Sequence, residues 1–340
     1  SRDRQGQFFA GLYQGRGKVF NLHSCHLVSP WFAEALRATR SWAERHGVLA
    51  YHPDSDTGSL RTLIAREARS SGDRLLMLTV SGRSDFALTA EQTRDWTQSM
   101  QEYTPPGTKL SLFLRVQQIQ KGQPTQFFEM HLGGPEWVEE QLQITRPGGK
   151  VHTLDFAISP SAFFQPNTRQ AEHLYSAALS MVDIDKTSTV FDLYCGTGTL
   201  GLCLAREAAY VLGIELSQEA SLDARENAIR NGIENYHVIT GDVGQILSAR
   251  RSEPDFKAPD LVVVDPPRAG LDATAIEHLR SLQPRQILYI SCNPVSQAAN
   301  IEELKAAGYA VRRVRPLDQT PHTVHIENIV LLERENEPKI

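Results

Sequence analysis

The chain is poor in features that mark several common protein classes. Its 340 residues hold four cysteines, Cys25, Cys195, Cys203 and Cys292, with no CxxC pair. That spacing argues against a disulfide framework and for a reducing cytosol, so a cytoplasmic location is expected. No apolar run is long enough to span a bilayer, and the opening SRDRQGQ is polar with no signal-peptide core. Basic charge is also in short supply. Lys and Arg number 35 against 40 Asp and Glu, a net charge of −5, which excludes a protein that grips nucleic acid mainly by bulk charge. The deficit is uneven, with +3 over residues 1–150 and −8 over residues 151–340, so the front half is the more comfortable neighbour for phosphate. There is no internal repeat and no low-complexity segment.

What remains is an ordinary soluble globular composition, 41% hydrophobic and 22% charged, in a chain long enough for two domains. Residues 151–340 are regular. TVFDLY (189–194), AYVLGIE (209–215), NYHVIT (235–240), PDLVVVDPP (259–267) and RQILYIS (285–291) are short β-branched runs separated by helix-like stretches. Strands alternating with helices predict a parallel sheet covered on both faces. One helix is predicted over 217–232, with Ser217 as cap and Gly232 as stop, and another opens at Asn167. Two further strands close the region. Residues 1–150 are less regular and read as a smaller α+β domain: strands at FFAGLY, KVFNL, RLLMLTVSG and LSLFLRVQQ, a helix over 29–47 capped by Ser29, and another near TAEQTRDWTQSM.

Chemistry-bearing residues gather at predicted strand ends. GTGTLG (196–201) matches G-x-G-x-x-G after a strand, and Glu215 ends the next strand about 20 residues on. Gly196 and Gly198 would let the backbone approach a ligand, and the acid would bond ribose hydroxyls. This geometry suits a dinucleotide or any other adenosine ligand, so a nicotinamide-dependent oxidoreductase stays open on this motif alone. Asp265 follows an apolar run and precedes two prolines, which cannot continue a central strand. Cys292 ends the next run, and Glu327 begins the last. A lone strand cysteine is more often core than nucleophile.

The ordered set FFQPN, DLYCGTGTLGL, GIE, DPPRAG, SCNP and PHTVHIENIVLL resembles the RNA uracil-5-methyltransferases, over nearly all of residues 151–340. The resemblance implies a Rossmann-like class I methyltransferase domain, preceded by the smaller α+β domain as an RNA contact. It implies S-adenosylmethionine as cofactor, with contacts from Gln165, Tyr194, Thr199, Glu215, Asp242 and Asp265 beside the glycines. It assigns the nucleophile to Cys292 and the base to Glu327. Thiolate addition at carbon six of uracil makes carbon five nucleophilic; after methyl transfer a base removes the carbon-five proton. An ordinary thiol is mostly protonated at pH 7, so the site should lower the Cys292 pKa or remove its proton as substrate binds. Cys195 and Cys203 are expected to be packing residues.

Some members of the family hold an iron–sulfur cluster, and Cys25 matches one ligand position. The other three cysteines are lacking, so a cluster is expected only in a longer chain and no metal in this one. The expected partner is RNA, with 23S ribosomal RNA favoured over tRNA by SLRTLIAREARSSGDRLLMLTV, and the chain is expected to act as a monomer. A non-catalytic RNA-binding protein on the same fold is the remaining alternative.

Overall fold

The computed structural model describes residues 1, 8–14, 18–146, 148–254 and 256–335. They form two compact units, Ser1–Val138 and Glu139–Ile340. In the first, β1 (Gly11–Gln14) and β2 (Lys18–Asn21) make a hairpin. A four-stranded sheet follows, ordered β3 (Leu60–Glu67), β4 (Arg74–Ser81), β5 (Leu110–Gln118) and β6 (Gln126–Gly133). Helices α1 (Pro30–Arg45) and α2 (Ala90–Glu102) cover one face through Trp42, Trp96 and Met100, packed on Leu76, Leu78 and Leu112. Both buried indoles have partners: Trp42 Nε1 donates to Gln92 O (2.9 Å) and Trp96 Nε1 to Thr39 Oγ1 (3.2 Å). Ser29 sits at the N-cap of α1, but its side chain makes no capping bond; Pro30, with its preset φ, opens the helix instead.

The second unit begins with a hairpin, β7 (Val138–Thr145) and β8 (Val151–Ile158). The domain boundary expected at 150/151 therefore moves to 138/139. The reason is packing. Leu142, Ile144, Leu154 and Phe156 share one core with α3 (Thr168–Met181) and the large sheet. Polar side chains reinforce the docking. Asp223 and Asn227 on α5 (Gln218–Arg230) and its C-cap Asn231 lie one turn apart and accept from the backbone N–H groups of Ser159, Ala157 and Asp155 at 2.8–2.9 Å. The helix thus satisfies donors that an edge strand would leave bare.

The large sheet has seven strands in the order β11-β10-β9-β12-β13-β15-β14. They are β9 (Thr189–Leu193), β10 (Tyr210–Glu215), β11 (Tyr236–Thr240), β12 (Leu261–Val264), β13 (Gln286–Ser291), β14 (Tyr309–Leu317) and β15 (Glu327–Arg334). The first five in that order are parallel, as expected. β15 runs antiparallel to both neighbours. Only a short loop joins it to β14, and without a helical crossover the chain must reverse. One face carries α3, α4 (Thr199–Ala205), α5 and the hairpin. The other carries α6 (Val243–Arg251), α7 (Ala273–Leu282) and α8 (Pro294–Ala306). Strand order reverses beside β9, and in open α/β sheets the crevice at such a point holds the ligand.

Candidate active site

Strand register brings the candidate residues together at the carboxyl ends of the strands. Leu193 of β9 lies level with Ile214 of β10 and Val264 of β12. One step further on, Tyr194, Glu215 and Asp265 therefore occupy one row. On the far side of β12, Ser291 of β13 pairs with Asn328 of β15. The next step of that ladder sets Cys292 opposite Glu327.

Alternation decides which face each side chain takes. Val190, Val263, Ile290 and Ile329 belong to the core on the α3 side of the sheet. Asp192, Asp265, Cys292 and Glu327 each stand two positions along the same strands, and so share that face. The electrostatics agree, since Glu327 acts on both Asp265 and Cys292, and Asp192 acts on Asp265. Sequence reasoning anticipated this convergence for Asp265, Cys292 and Glu327, and the structure brings them together.

The glycine loop is built around a tyrosine that the sequence did not single out. A Cβ on Gly201 would lie 2.6 Å from Tyr236 Cε2 and 2.6 Å from Asp192 Oδ2; one on Gly213 would lie 2.6 Å from Tyr236 Oη. Those glycines are needed for the ring beneath the loop. Gly196 and Gly198 have φ of +54° and +81°, a region that favours glycine. Tyr194 has φ of +64°, unusual for a bulky residue. The turn carries it off the face its strand parity would give, onto the α6–α8 side. Its hydroxyl is pushed up to about 12 by burial and then by the charges of Asp272 and Asp242.

Glu215 anchors the loop, with Oε2 accepting from Gly196 N (2.9 Å) and Oε1 from Ser217 N (2.8 Å). Each carboxylate oxygen has a second lone pair, so the group is oriented and still able to accept two ribose hydroxyls. An adenosine ligand fits this donor set. Asp242 caps α6 by accepting from Gln245 N (3.0 Å), and its side chain is exposed at the end of β11. Thr199 is buried, with its hydroxyl 3.2 Å from that of Thr197. Cys195 and Cys203 are buried packing residues, as anticipated. Cys25 lies between β2 and α1, and among the described residues no group of three His, Cys, Asp or Glu could hold a metal ion.

The acid–base groups are strongly perturbed. Burial raises Glu327 to about 7, opposed by the Arg268 guanidinium. Burial, then the charges of Glu327 and Asp192, raises Asp265 to about 8. Burial and then Glu327 also raise the Cys292 thiol, while Arg268 pulls it down. The expected lowering of the free thiol is therefore corrected: a desolvated sulfur beside a carboxylate resists ionisation. Removal of its proton as substrate binds is the route that remains. Arg268, whose Nη2 lies 3.3 Å from His325 Nδ1, is held through its carbonyl by Asn293 Nδ2 (2.9 Å) and Ser296 Oγ (3.1 Å). The rigid DPPR turn is thus tied to the start of α8.

Gln165 and Asn167 occupy the loop before α3. Gln319, from the β14–β15 loop, is buried against both, and its Nε2 donates to Gln165 Oε1 (3.2 Å) and to Asn167 O (3.3 Å). Sequence reasoning passed over Gln319, because DQTP reads as an exposed polar turn.

The family model for tRNA (uracil-5-)-methyltransferases matches residues 109–335. This chain belongs to that family. Its relatives include an uncharacterized RNA methyltransferase of Protochlamydia amoebophila, 51% identical over 337 residues, covering 98% of this chain and 76% of the relative. Another, of Chlamydia trachomatis serovar D, is 36% identical over 318 residues, covering 93% of this chain and 78% of the relative. Among solved structures, the tRNA (uracil-54, C5)-methyltransferase of Pyrococcus abyssi, in complex with S-adenosyl-L-homocysteine, superposes with a TM-score of 0.68. It is 24% identical and covers 95% of this chain and 72% of that one, which bears on the fold. The second unit thus carries the class I, Rossmann-like fold of an RNA methyltransferase. No helix among the described residues is long and apolar enough to cross a membrane.

Proposed function

We propose that the chain makes 5-methyluridine in RNA, with S-adenosylmethionine as methyl donor, Cys292 as nucleophile and Glu327 as base. What supports this reading is the Ser291–Asn328 pairing, one step short of Cys292 and Glu327, together with the Glu327 charge acting on the Cys292 thiol. When bound, S-adenosylmethionine supplies an electrophilic methyl group on a sulfonium. Gln165, Tyr194, Gly196, Gly198, Thr199, Glu215, Asp242 and Asp265 are the residues that would hold it. As substrate binds, the Cys292 thiol gives up its proton to solvent. The thiolate bonds to carbon six, and the electron pair of the carbon five–carbon six double bond moves onto carbon five and the oxygen of the neighbouring carbon-four carbonyl. Carbon five then takes the methyl group, while the electron pair of the broken bond stays on the sulfonium sulfur. Once carbon five carries the methyl group, Glu327 takes its proton. The double bond re-forms and the cysteine leaves as thiolate. A Glu327 carboxyl at about 7 is matched to that transfer, since it is ionised and protonated in comparable amounts near neutrality.

The target uracil must leave its stack to reach carbon six, so a loop or single-stranded region is the substrate, with the first unit as a further RNA contact. Among RNAs we favour 23S ribosomal RNA over tRNA, on the sequence resemblance of residues 59–80, and a monomeric cytoplasmic enzyme. A nicotinamide-dependent oxidoreductase would leave Cys292 and Glu327 without a role. RNA containing 5-fluorouridine tests the mechanism, because fluorine at carbon five cannot be removed as a proton. With S-adenosylmethionine present, a covalent protein–RNA adduct should survive denaturation and map to Cys292. If neither ribosomal RNA nor tRNA gives an adduct, the mechanism is wrong.

A further inference from the structure

We infer that Gln319 is a positioning residue that locks the Gln165 amide with its N–H groups facing the ligand, so that the site selects an acceptor oxygen there. The inference rests on the proposed placement of Gln165 in the methyltransferase site. Three bonds make the clasp. Gln319 Nε2 donates to Gln165 Oε1 (3.2 Å) and to Asn167 O (3.3 Å), and Asn167 Nδ2 donates back to Gln319 O (3.2 Å). Asn167 Oδ1 meanwhile accepts from Gln170 N (3.3 Å) as the cap of α3. Gln319 is 2% exposed and Gln165 9% exposed.

Side-chain amides are usually ambiguous, because oxygen and nitrogen have nearly the same shape. Here a main-chain oxygen removes the ambiguity. Asn167 O only accepts, so Gln319 must present its nitrogen to it. Both N–H groups of Gln319 are then committed, and Gln165 must present its oxygen to the second. The Gln165 NH₂ is left turned away and makes no hydrogen bond among the described residues. The opposite Gln319 rotamer would set its oxygen against two acceptor oxygens. Gln319 Oε1 is itself buried without a donor, a cost that a free rotamer would avoid.

The clasp sits at the reacting end of the site. Gln319 follows two residues after Leu317, whose register partner is Glu327. The row of Glu215 and the capping residue Asp242 stand at the other end of the sheet order. An acceptor oxygen at the reacting end has two sources, the carboxylate of the methionine part of the cofactor or a carbonyl of the target base. Their shared chemistry is an oxygen with no proton of its own.

Gln319→Met keeps the length and removes the donor. Calorimetric titration of S-adenosylhomocysteine reads the cofactor arm without RNA, and KM for RNA reads the base arm. One of the two should weaken about tenfold, the effect of losing one oriented hydrogen bond to a charged or buried acceptor, with kcat changed much less. A second variant, Gln165→Glu, keeps an oxygen for Gln319 to bond and offers the ligand oxygen in place of N–H, so it should lose the same arm by at least as much even where Gln319→Met folds poorly. A folded Gln319→Met and a Gln165→Glu that both keep cofactor affinity and KM at wild-type values would overturn the inference, as would a fall confined to kcat. The cofactor arm does not depend on which base is methylated, so loss there supports the clasp whatever the RNA product proves to be.

Discussion

Replacing Glu327 by glutamine removes a carboxylate that stands opposite Cys292, one step beyond the Ser291–Asn328 pair. Directly opposed strand residues place their Cβ atoms about 5 Å apart, so the two charges sit roughly 6 Å from each other. For a half-buried pair an effective dielectric constant of about 40 gives ~1.4 kcal/mol of repulsion between thiolate and carboxylate, or about tenfold in the thiolate population. The repulsion exists only while Glu327 is ionised. With its carboxyl at about 7, roughly a tenth is charged at pH 6 and roughly nine-tenths at pH 8. Alkylation of Cys292 by iodoacetamide, followed site by site by mass spectrometry, measures the thiolate directly. Cys25 serves as internal standard, since it is the other cysteine with solvent exposure. The ratio of Glu327→Gln to wild-type alkylation should be near one at pH 6 and climb toward about ten at pH 8. A ratio that stays flat with pH, or falls below one, would refute the reasoning, because burial alone acts equally in both proteins. The same variant should stop turnover, leaving protein–RNA adduct that cannot shed its carbon-five proton.

Arg268→Ala should act the other way, slowing Cys292 alkylation, because the guanidinium is the group that pulls the thiol down; its exposed side chain predicts no change in melting temperature. Burial holds Asp192 at about 7, above its unfolded value near 4, so the folded chain keeps that proton longer than the unfolded one. Asp192 therefore supports folding most below pH ~4 and progressively less as pH rises toward 7. Asp192→Asn should be more stable than wild type at pH 8, by on the order of 2–4 kcal/mol, with the gap closing in acid; thermal melts at the two pH values check it. Gly201→Ala should destabilise by ~1–3 kcal/mol and weaken S-adenosylhomocysteine binding, since its methyl would strike Tyr236 and Asp192, and calorimetry reads both effects.

The parts of the site carried by strand ends were legible in the sequence, because a β-branched run followed by Asp-Pro-Pro, Ser-Cys-Asn-Pro or a late Glu marks where a parallel strand meets its loop. Asp265, Cys292 and Glu327 needed only register to meet. The parts that depend on backbone twist or on distant loops were not. Nothing in TVFDLY announces that Tyr194 takes a left-handed φ and crosses to the other face. Tyr236 reads as one more strand aromatic until Gly198, Gly201 and Gly213 are seen to make room for it. β6 was missed because QFFEMHLG is an exposed edge strand with no buried face to impose alternation. The 150/151 boundary cut the β7–β8 hairpin and left β7 in the front unit, because what holds the hairpin to the second unit, Asp223, Asn227 and Asn231 bonding the backbone of β8 and of Ser159 beyond it, lies some 70 residues away in a stretch that looked merely polar.

Threading β15 between β13 and β14 has a consequence for how the enzyme is made. Cys292, the proposed nucleophile, leaves the ribosome before Glu327, its proposed base, on a strand whose outer edge has no partner until β15 arrives. β14 is likewise unpaired until then, since β15 is its neighbour in the sheet. The strand that closes this gap carries Glu327 at its first position. Completion of the sheet and arrival of Glu327 at Cys292 are one event, so under the proposed mechanism a chain that has lost β15 holds Cys292 without its base.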